Sequence, residues 1–484
     1  MMPFLNATKS FVTTLLLLLL ITVLFRQSIH NDSVIYDNYD ATHHVLLTIE
    51  ALKQTPASQH HFLPIVSLGK STDKHIPWGA TIPDKYGNYY YTSFPLGGFI
   101  FPYTTFTILN LDSTVENLFL LNSLILALSV LLVFLLTKKI SKYINTQGNP
   151  NIPAFLTGVI YIFSMEALYS HGFIYWGQSL LQPVYLYFLY LTFQILTEQV
   201  KWYRAYVVFL FAFLLGFIEW SGYLIVLGAM LAFLISSLPR KEKYFYILAS
   251  AAGGVLALSV FIFDFLITVD MATFFQALKA RFFARNITTD IPFSSLFIGY
   301  WQSYYGFLVF LPLSLFVTYM NRLAIKRNKR FVLILLFIII IFGLLENIIM
   351  KQHAIAYHFD RLKLLPLFSL AIPLLWNCQS LFTKSFYILV IFLTSTYSLY
   401  LYPQLRITNN VSLTTNEQFL IESNFNQQCS NCILGIQGAV RGYTNLLFNR
   451  GLYEGQTQKS LNNIAEKLNV CACYIDTKQI GGGG

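Results

Sequence analysis

Directly after the first apolar run, the sequence reads Tyr36-Asp37-Asn38-Tyr39-Asp40-Ala41-Thr42-His43-His44. Two carboxylates and two imidazoles thus meet at a hydrophobic boundary. Holding titratable groups in a partly dry site costs free energy, so such a cluster points to chemistry or ligand binding. Asp37, Asp40 and His44 are spaced i, i+3 and i+7, which places them on one face of a helix. There Asp40 can serve as general base toward a hydroxyl or amine, with Asp37 beside it and His43 or His44 positioning the acceptor or its donor. The purely structural reading is an N-cap, with Asp40 accepting from the Thr42 or His43 N–H. Capping leaves Asp37 and the histidine pair without a role.

A second constellation runs from Glu346 through Asn347, Lys351 and His353 to His358, Asp360, Arg361 and Lys363. Lys351, Arg361 and Lys363 call for an anion, and a phosphate would take hydrogen bonds from all of them and from the histidines. Snorkelling to lipid headgroups is the plainer alternative, but it leaves Glu346, inside an apolar run, unexplained. A third group is Glu219-Trp220 within Gly216–Tyr223. An indole face and N–H can hold a sugar ring beside a carboxylate; an ordinary helix turn reads equally well. Trp176 and Gln178 are weaker candidates, and Lys279, Arg281 and Arg285 read as a solvated or headgroup-facing surface.

The elements that must position these groups are membrane helices. The 484 residues are 55% hydrophobic and 11% charged, with mean hydropathy +0.56, against about a quarter charged in a soluble domain. A hydrocarbon core of about 30 Å needs roughly 20 apolar residues per helix. Spans are expected near 11–25, 117–136, 153–169, 179–197, 205–218, 221–238, 245–268, 303–320, 331–350, 362–378 and 385–402, about eleven in all. No A-x-A-like cleavage site follows Leu24, so the first run reads as an anchor. Lys138, Lys139, Lys142, Lys201, Arg204, Arg240, Lys241, Lys243, Arg322, Lys326, Arg327, Lys329 and Arg330 then fall in loops on one side. The positive-inside rule makes that side cytoplasmic. The net charge of +10 is a topology signal and requires no nucleic acid. The amino terminus is expected inside, and the long segment 26–116, the 269–302 loop, Lys351–Arg361 and the carboxyl-terminal tail outside.

Residues 1–402 read as a transmembrane domain whose first outer loop, 26–116, carries the acidic motif, and 403–484 as a small extracytoplasmic domain. In the loop, Ala41–Leu52 reads as an interfacial helix with Val45, Leu46, Ile49 and Leu52 on one side. The aromatic stretch Tyr86–Leu96 reads as a headgroup-level belt, or alternatively as a sugar- or lipid-facing wall. In the tail, Ser460–Leu468 has the period of an amphipathic helix and Val470–Ile475 that of a strand, a small α/β appendage. Cys429, Cys432, Cys471 and Cys473 on an oxidising side favour disulfides over a zinc site. The sequence contains no P-loop, G-x-G-x-x-G, G-x-S-x-G or H-E-x-x-H, which removes most ATP-driven, nicotinamide and zincin readings.

An acidic motif in the first outer loop, many spans and a small outer tail resemble the GT-C class of integral-membrane glycosyltransferases. The chain looks most like the branch holding protein O-mannosyltransferases and lipid A aminoarabinose transferases. Asp40–Thr48 is similar to that branch's D-E-x-x-Y/F-A pattern, with Ala41 standing where a second acid is usual and Asp37 one turn earlier. Tyr91–Leu96 looks like its aromatic-Pro-Leu segment, and His353–Lys363 like its H-x-x-x-H/Y region. The layout is shared over roughly residues 10–400. The resemblance implies an all-helical membrane fold with interfacial helices in the first outer loop. It also implies a polyprenyl-phosphate sugar donor entering from the bilayer, a glycan, lipid or protein acceptor, and a single inverting displacement. Asp40 would orient or deprotonate the acceptor, while Lys351, Arg361, Lys363, His353 and His358 would face the leaving phosphate. Some relatives use a divalent cation, for which Asp37, Asp40 and Glu219 are candidate ligands, although no fixed-spacing metal motif is present. The rival readings are a transporter or flippase for lipid-linked glycans, and an O-antigen ligase or polymerase.

Overall fold

Apolar runs long enough to leave water must satisfy their own backbone, and helices do so within one segment. The computed structural model describes residues 2–30, 38–76, 80–145, 148–198, 201–286, 290–320, 325–377, 381–408, 425–436 and 442–475. It is mostly helical. Among the described residues, seven helical segments are long and apolar enough to cross a membrane: Thr8–Ser28, Val115–Ile144, Gly177–Thr197, Arg240–Thr268, Phe293–Met320, Arg327–Ile349 and Thr383–Gln404. Asn151–Phe163, Tyr203–Ile218 and Trp220–Ile235 are shorter apolar helices. The chain is therefore a multi-pass membrane protein.

Three of the expected runs are interrupted. The run expected at 153–169 stops at Ser164, whose hydroxyl caps a new short helix, Met165–Ser170, by accepting from the Ala167 N–H at 3.3 Å. The run at 303–320 contains a 3-10 turn, Tyr305–Val309, entered through Tyr305 at φ 44°. The run at 362–378 begins as a 3-10 segment, His358–Leu367, before the helix Phe368–Asn377.

The described residues form two compact units, each discontinuous in sequence. The first comprises 1–30, 119–260 and 285–405. In it Trp220–Ile235 packs along Arg327–Ile349, so closely that a Cβ on Gly228 would lie 2.7 Å from the Phe342 Cβ. The irregular backbone from Ser170 to Trp176 is buried in this unit, which obliges the protein to supply its hydrogen bonds. The Asn122 amide nitrogen lies 3.1, 3.0 and 2.8 Å from the carbonyl oxygens of Ser170, Gly172 and Ile174. Arg26, fully buried, donates to the His171 carbonyl at 2.8 Å. Burial, and then the charge of Arg26, push the His171 imidazole down to about 3, so it is neutral. Replacing Asn122 by leucine strands these carbonyls and should cost about 2–4 kcal/mol. Thermal unfolding in detergent would show it as a fall in Tm of several degrees.

The second unit comprises 31–118, 261–284 and 406–484. The tail thus groups with the first long segment, whereas the expected division at 402/403 is linear. The helix Tyr39–Gln54 starts after Asn38 at φ 61° and packs on Gly97–Ile108 and Gly442–Phe448. His43, His44, Val45, Leu46, Leu47, Thr48, Ile49 and Leu52 are all buried, so it is a core helix of its unit rather than one with a single apolar side. The aromatic stretch is largely internal too. Tyr89–Tyr91 pairs antiparallel with Thr81–Pro83, and the buried Tyr90 hydroxyl donates to Asp84 at 3.0 Å. Tyr91 and Phe94 are also buried, and Tyr86 is exposed.

In the tail, Cys432–Ile436 and Cys471–Ile475 pair in parallel with Cys432 opposite Cys471. The helix Gln458–Leu468 between them opens on a Thr457/Ser460 capping box. Disulfides join Cys429 to Cys473 and Cys432 to Cys471, so the four cysteines pair with one another. Arg450 donates to Asp73 at 2.6 Å and to the Cys429 carbonyl at 3.1 Å.

Candidate functional site

The first unit holds a buried polar network centred on the 3-10 segment His358–Leu367. A 3-10 helix makes tighter turns with poorer internal hydrogen bonds than an α-helix, and here the side chains of the segment are anchored from several directions. The Arg361 Nε donates to the Ser303 hydroxyl at 2.7 Å and approaches Glu166 at 3.4 Å. Its Nη1 donates to the Ala354 carbonyl at 3.2 Å, and its Nη2 lies 2.5 Å from the His358 Nδ1. Ser303 and Ser170 in turn donate to the two oxygens of Glu166 at 2.5 and 2.8 Å. A Cβ on Gly299 would stand 2.5 Å from the Arg361 Nη1, so the guanidinium occupies space only a glycine leaves open. Burial, then Arg361, push His358 down to about 3; the neutral imidazole can accept from the guanidinium.

Two residues on, Lys363 is fully buried. It pairs with Glu346, reaches the Asn347 amide oxygen at 3.5 Å and lies 3.8 Å from Asp360. Asp360 also pairs with His353 and accepts from the Gln178 amide at 2.6 Å. Burial tends to raise the Asp360 carboxyl, but His353 and Lys363 prevail and hold it down at about 2. Asn347 donates to the Tyr300 hydroxyl at 2.7 Å, and the Tyr304 hydroxyl donates to the Arg361 carbonyl at 2.6 Å.

Glu219 sits in the one-residue break between Tyr203–Ile218 and Trp220–Ile235. It is fully buried and faces Glu346, Lys363 and Asp360. Neither of its oxygens has a hydrogen bond of ordinary geometry among the described residues. Three carboxyls therefore surround one ammonium, an arrangement that strongly favours a protonated member.

Of the candidates read from sequence, Glu219, Glu346, His353, His358, Arg361 and Lys363 thus fall into one network. Trp220 follows Glu219, its ring centroid 5.9 Å from that of Tyr223. Lys351 is buried with its Nζ 4.8 Å from the Phe293 ring centroid. Each of Arg361, Lys363 and His353 has a carboxylate of the protein itself as partner. Glu166, Ser303, Tyr300 and Tyr304 have no clustered signal of this kind in the sequence, and Gln178 only a weak one. For Glu166 the available signal is instead an acid within an apolar run, followed by Ser170 and His171.

The acidic motif belongs to the second unit. Asp40, exposed in the first turn of Tyr39–Gln54, accepts from the Gly442 N–H at 3.3 Å. It is not the N-cap of its own helix, since that position is Asn38. The His43 ring lies 4.6 Å from Tyr39 and 4.8 Å from Tyr443, and the His44 ring 4.4 Å from Tyr91, centroid to centroid. Asp37 lies outside the described residues. Among those described, no group of three His, Cys, Asp or Glu side chains is arranged to hold a metal ion.

Long apolar helices, a polar network at a 3-10 break and a small sheet in the tail together make a fold of the GT-C type. One similar solved structure is ArnT from Cupriavidus metallidurans, in the apo state. It matches with a TM-score of 0.54 at 11% identity, over 98% of this chain and 90% of that one. No family model matches the sequence, and no curated protein matches it.

Proposed function

We propose that the protein is a glycosyltransferase that moves a sugar from a polyprenyl-phosphate donor to a glycan, lipid or protein acceptor. The transfer is assigned to the outer face of the cell inner membrane, with the amino terminus cytoplasmic, on the distribution of basic loops. The observation that carries the reading is the concentration of Lys351, His353, Arg361 and Lys363, all buried, with the half-buried His358, in one stretch of a GT-C fold. Cations held in place by fixed carboxylates are preorganised, and such groups stabilise developing charge without rearranging at the moment of reaction.

The chemistry is a single displacement. An acceptor oxygen or nitrogen attacks the anomeric carbon, the carbon–oxygen bond to phosphate breaks, and its electron pair leaves with the polyprenyl phosphate. The acceptor's proton passes to Asp40, the role that its D-A-T-H-H motif suggests. A phosphate leaving group needs no general acid, because its conjugate acid is strong. Glu219 and Trp220 are assigned to the sugar, and His43 and His44 to holding the acceptor side.

Purified protein incubated with a radiolabelled polyprenyl-phosphate sugar and an envelope extract should transfer label. Asp40→Asn should lower that turnover by a factor on the order of 100 or more without changing Tm by more than a degree or two, since the side chain is exposed. Undiminished turnover in Asp40→Asn would remove it from the chemistry. Movement of intact donor across vesicles with no transfer would instead support the flippase reading.

A further inference from the structure

At the other end of the same bundle lies a feature that the transfer reaction does not use. An apolar groove of about 530 Å³ runs between Phe310–Met320, Arg327–Ile349 and Phe368–Asn377. Leu311, Leu315, Leu333, Phe337, Leu370 and Leu374 line it, with Arg330 at one end. Arg330 and Ile334 also border a second hollow of about 690 Å³, whose wall includes Tyr143, Thr197, Ser237, Arg327 and Asn328. The apolar groove and the more polar, basic hollow thus share a wall that includes Arg330. The Arg330 Nε is buried and meets no hydrogen-bond acceptor among the described residues.

We infer that this groove is a binding site for an anionic glycerophospholipid, with its acyl chains between the three helices and its phosphate against Arg330 and Arg327. Two observations select that occupant. The first is charge: Lys326, Arg327, Lys329 and Arg330 crowd this helix end, and a cluster of cations at a membrane surface attracts anionic headgroups. Lys329 is committed elsewhere, donating to the Ile144 carbonyl at 3.3 Å, while the guanidinium of Arg330 borders both hollows and matches a phosphate's geometry.

The second is position. Arg330 and Glu346 lie on the one helix Arg327–Ile349, about 24 Å apart at 1.5 Å per residue. The groove's charged end thus sits at the opposite end of this helix from the Lys363 and Arg361 network. A donor whose phosphate sat at that network would not place it at Arg330. The inference is independent of the proposed transferase activity.

The test uses the full chain in detergent, stripped of co-purified lipid, with thermal unfolding followed as phosphatidylglycerol, phosphatidylcholine of matched chains, or polyprenyl phosphate is titrated. Phosphatidylglycerol should raise Tm saturably by about 3 °C or more, and phosphatidylcholine by less than about 1 °C. Arg330→Gln should abolish the rise. So should Leu315→Trp, which fills the groove from a position 63% exposed and leaves every charge in place. Equal shifts with both phospholipids would reduce the groove to bulk solvation and overturn the assignment. So would a phosphatidylglycerol shift that survives in both variants. A shift that depends on Arg330 but appears only with polyprenyl phosphate would give the groove to the carrier and overturn it too.

Discussion

Arg361→Gln should be the most damaging single change in the protein. The guanidinium is 2% exposed and binds Ser303, the Ala354 carbonyl, His358 and Glu166 at once. Removing its charge leaves Glu166 buried without a cation, a loss of about 3–5 kcal/mol when one partner of a buried pair is deleted. If the cluster binds the donor phosphate, turnover should fall further, on the order of 100- to 1,000-fold, as when a preorganised donor is removed from developing charge. Arg361→Lys should restore little, because one ammonium cannot reach all four partners in their planar arrangement. The informative variant is Glu166→Gln combined with Arg361→Gln. Tm should recover relative to Arg361→Gln alone while transfer stays low, separating the arginine's structural task from its proposed chemical one. Recovery of both would show that Arg361 serves packing alone.

Lys363→Met should be nearly as costly, for the converse reason. The ammonium is the cation to which Glu346 and Asp360 turn and which Glu219 faces. Without it three buried carboxyls repel one another, and a penalty of about 3–5 kcal/mol is expected. Glu219→Gln should behave oppositely. It removes one acid from a site with an excess of acids, and among the described residues neither oxygen is held by an ordinary hydrogen bond, so Tm should stay level or rise. A drop in Tm of more than a few degrees would mean that the ionised carboxylate is a structural partner after all. If transfer also falls while Tm does not, the sugar-facing role assigned to Glu219 gains support.

Much of this fold was legible because bilayer-length apolar runs leave few alternatives to helix. The interruptions were not, because each depends on a distant partner. Glu166 sat inside a run that reads as one span, 153–169, and its partner Arg361 lies 195 positions away. The break at Tyr305 is a backbone feature with no composition signature. In the tail, the helix and second strand were visible from their periods, and the cysteines from their compartment. The first strand, Cys432–Ile436, is as long as the second but carries Gly435, which weakens its strand signal.

The site was half legible for a related reason. Local sequence shows that Lys351–Lys363 is rich in cations, so an external phosphate looked like the missing anion. Three dimensions supply Glu346, Asp360 and Glu166 as well. The acid at Glu346, which snorkelling could not explain, is the partner of Lys363. The burial of Tyr39–Gln54 was missed because its second covering helix, Gly442–Phe448, comes from the far end of the chain.

That last packing has a consequence for biogenesis. Asp40 takes a hydrogen bond from the Gly442 N–H, and His43 packs on Tyr443. A ribosome reaches these partners some four hundred residues after it has made the acidic motif. At typical synthesis rates of roughly 5–20 residues per second, the helix carrying Asp40 waits tens of seconds with one flank uncovered. Premature termination between residues 408 and 442 would therefore leave a chain with its described membrane helices in place and its earliest polar motif unfinished.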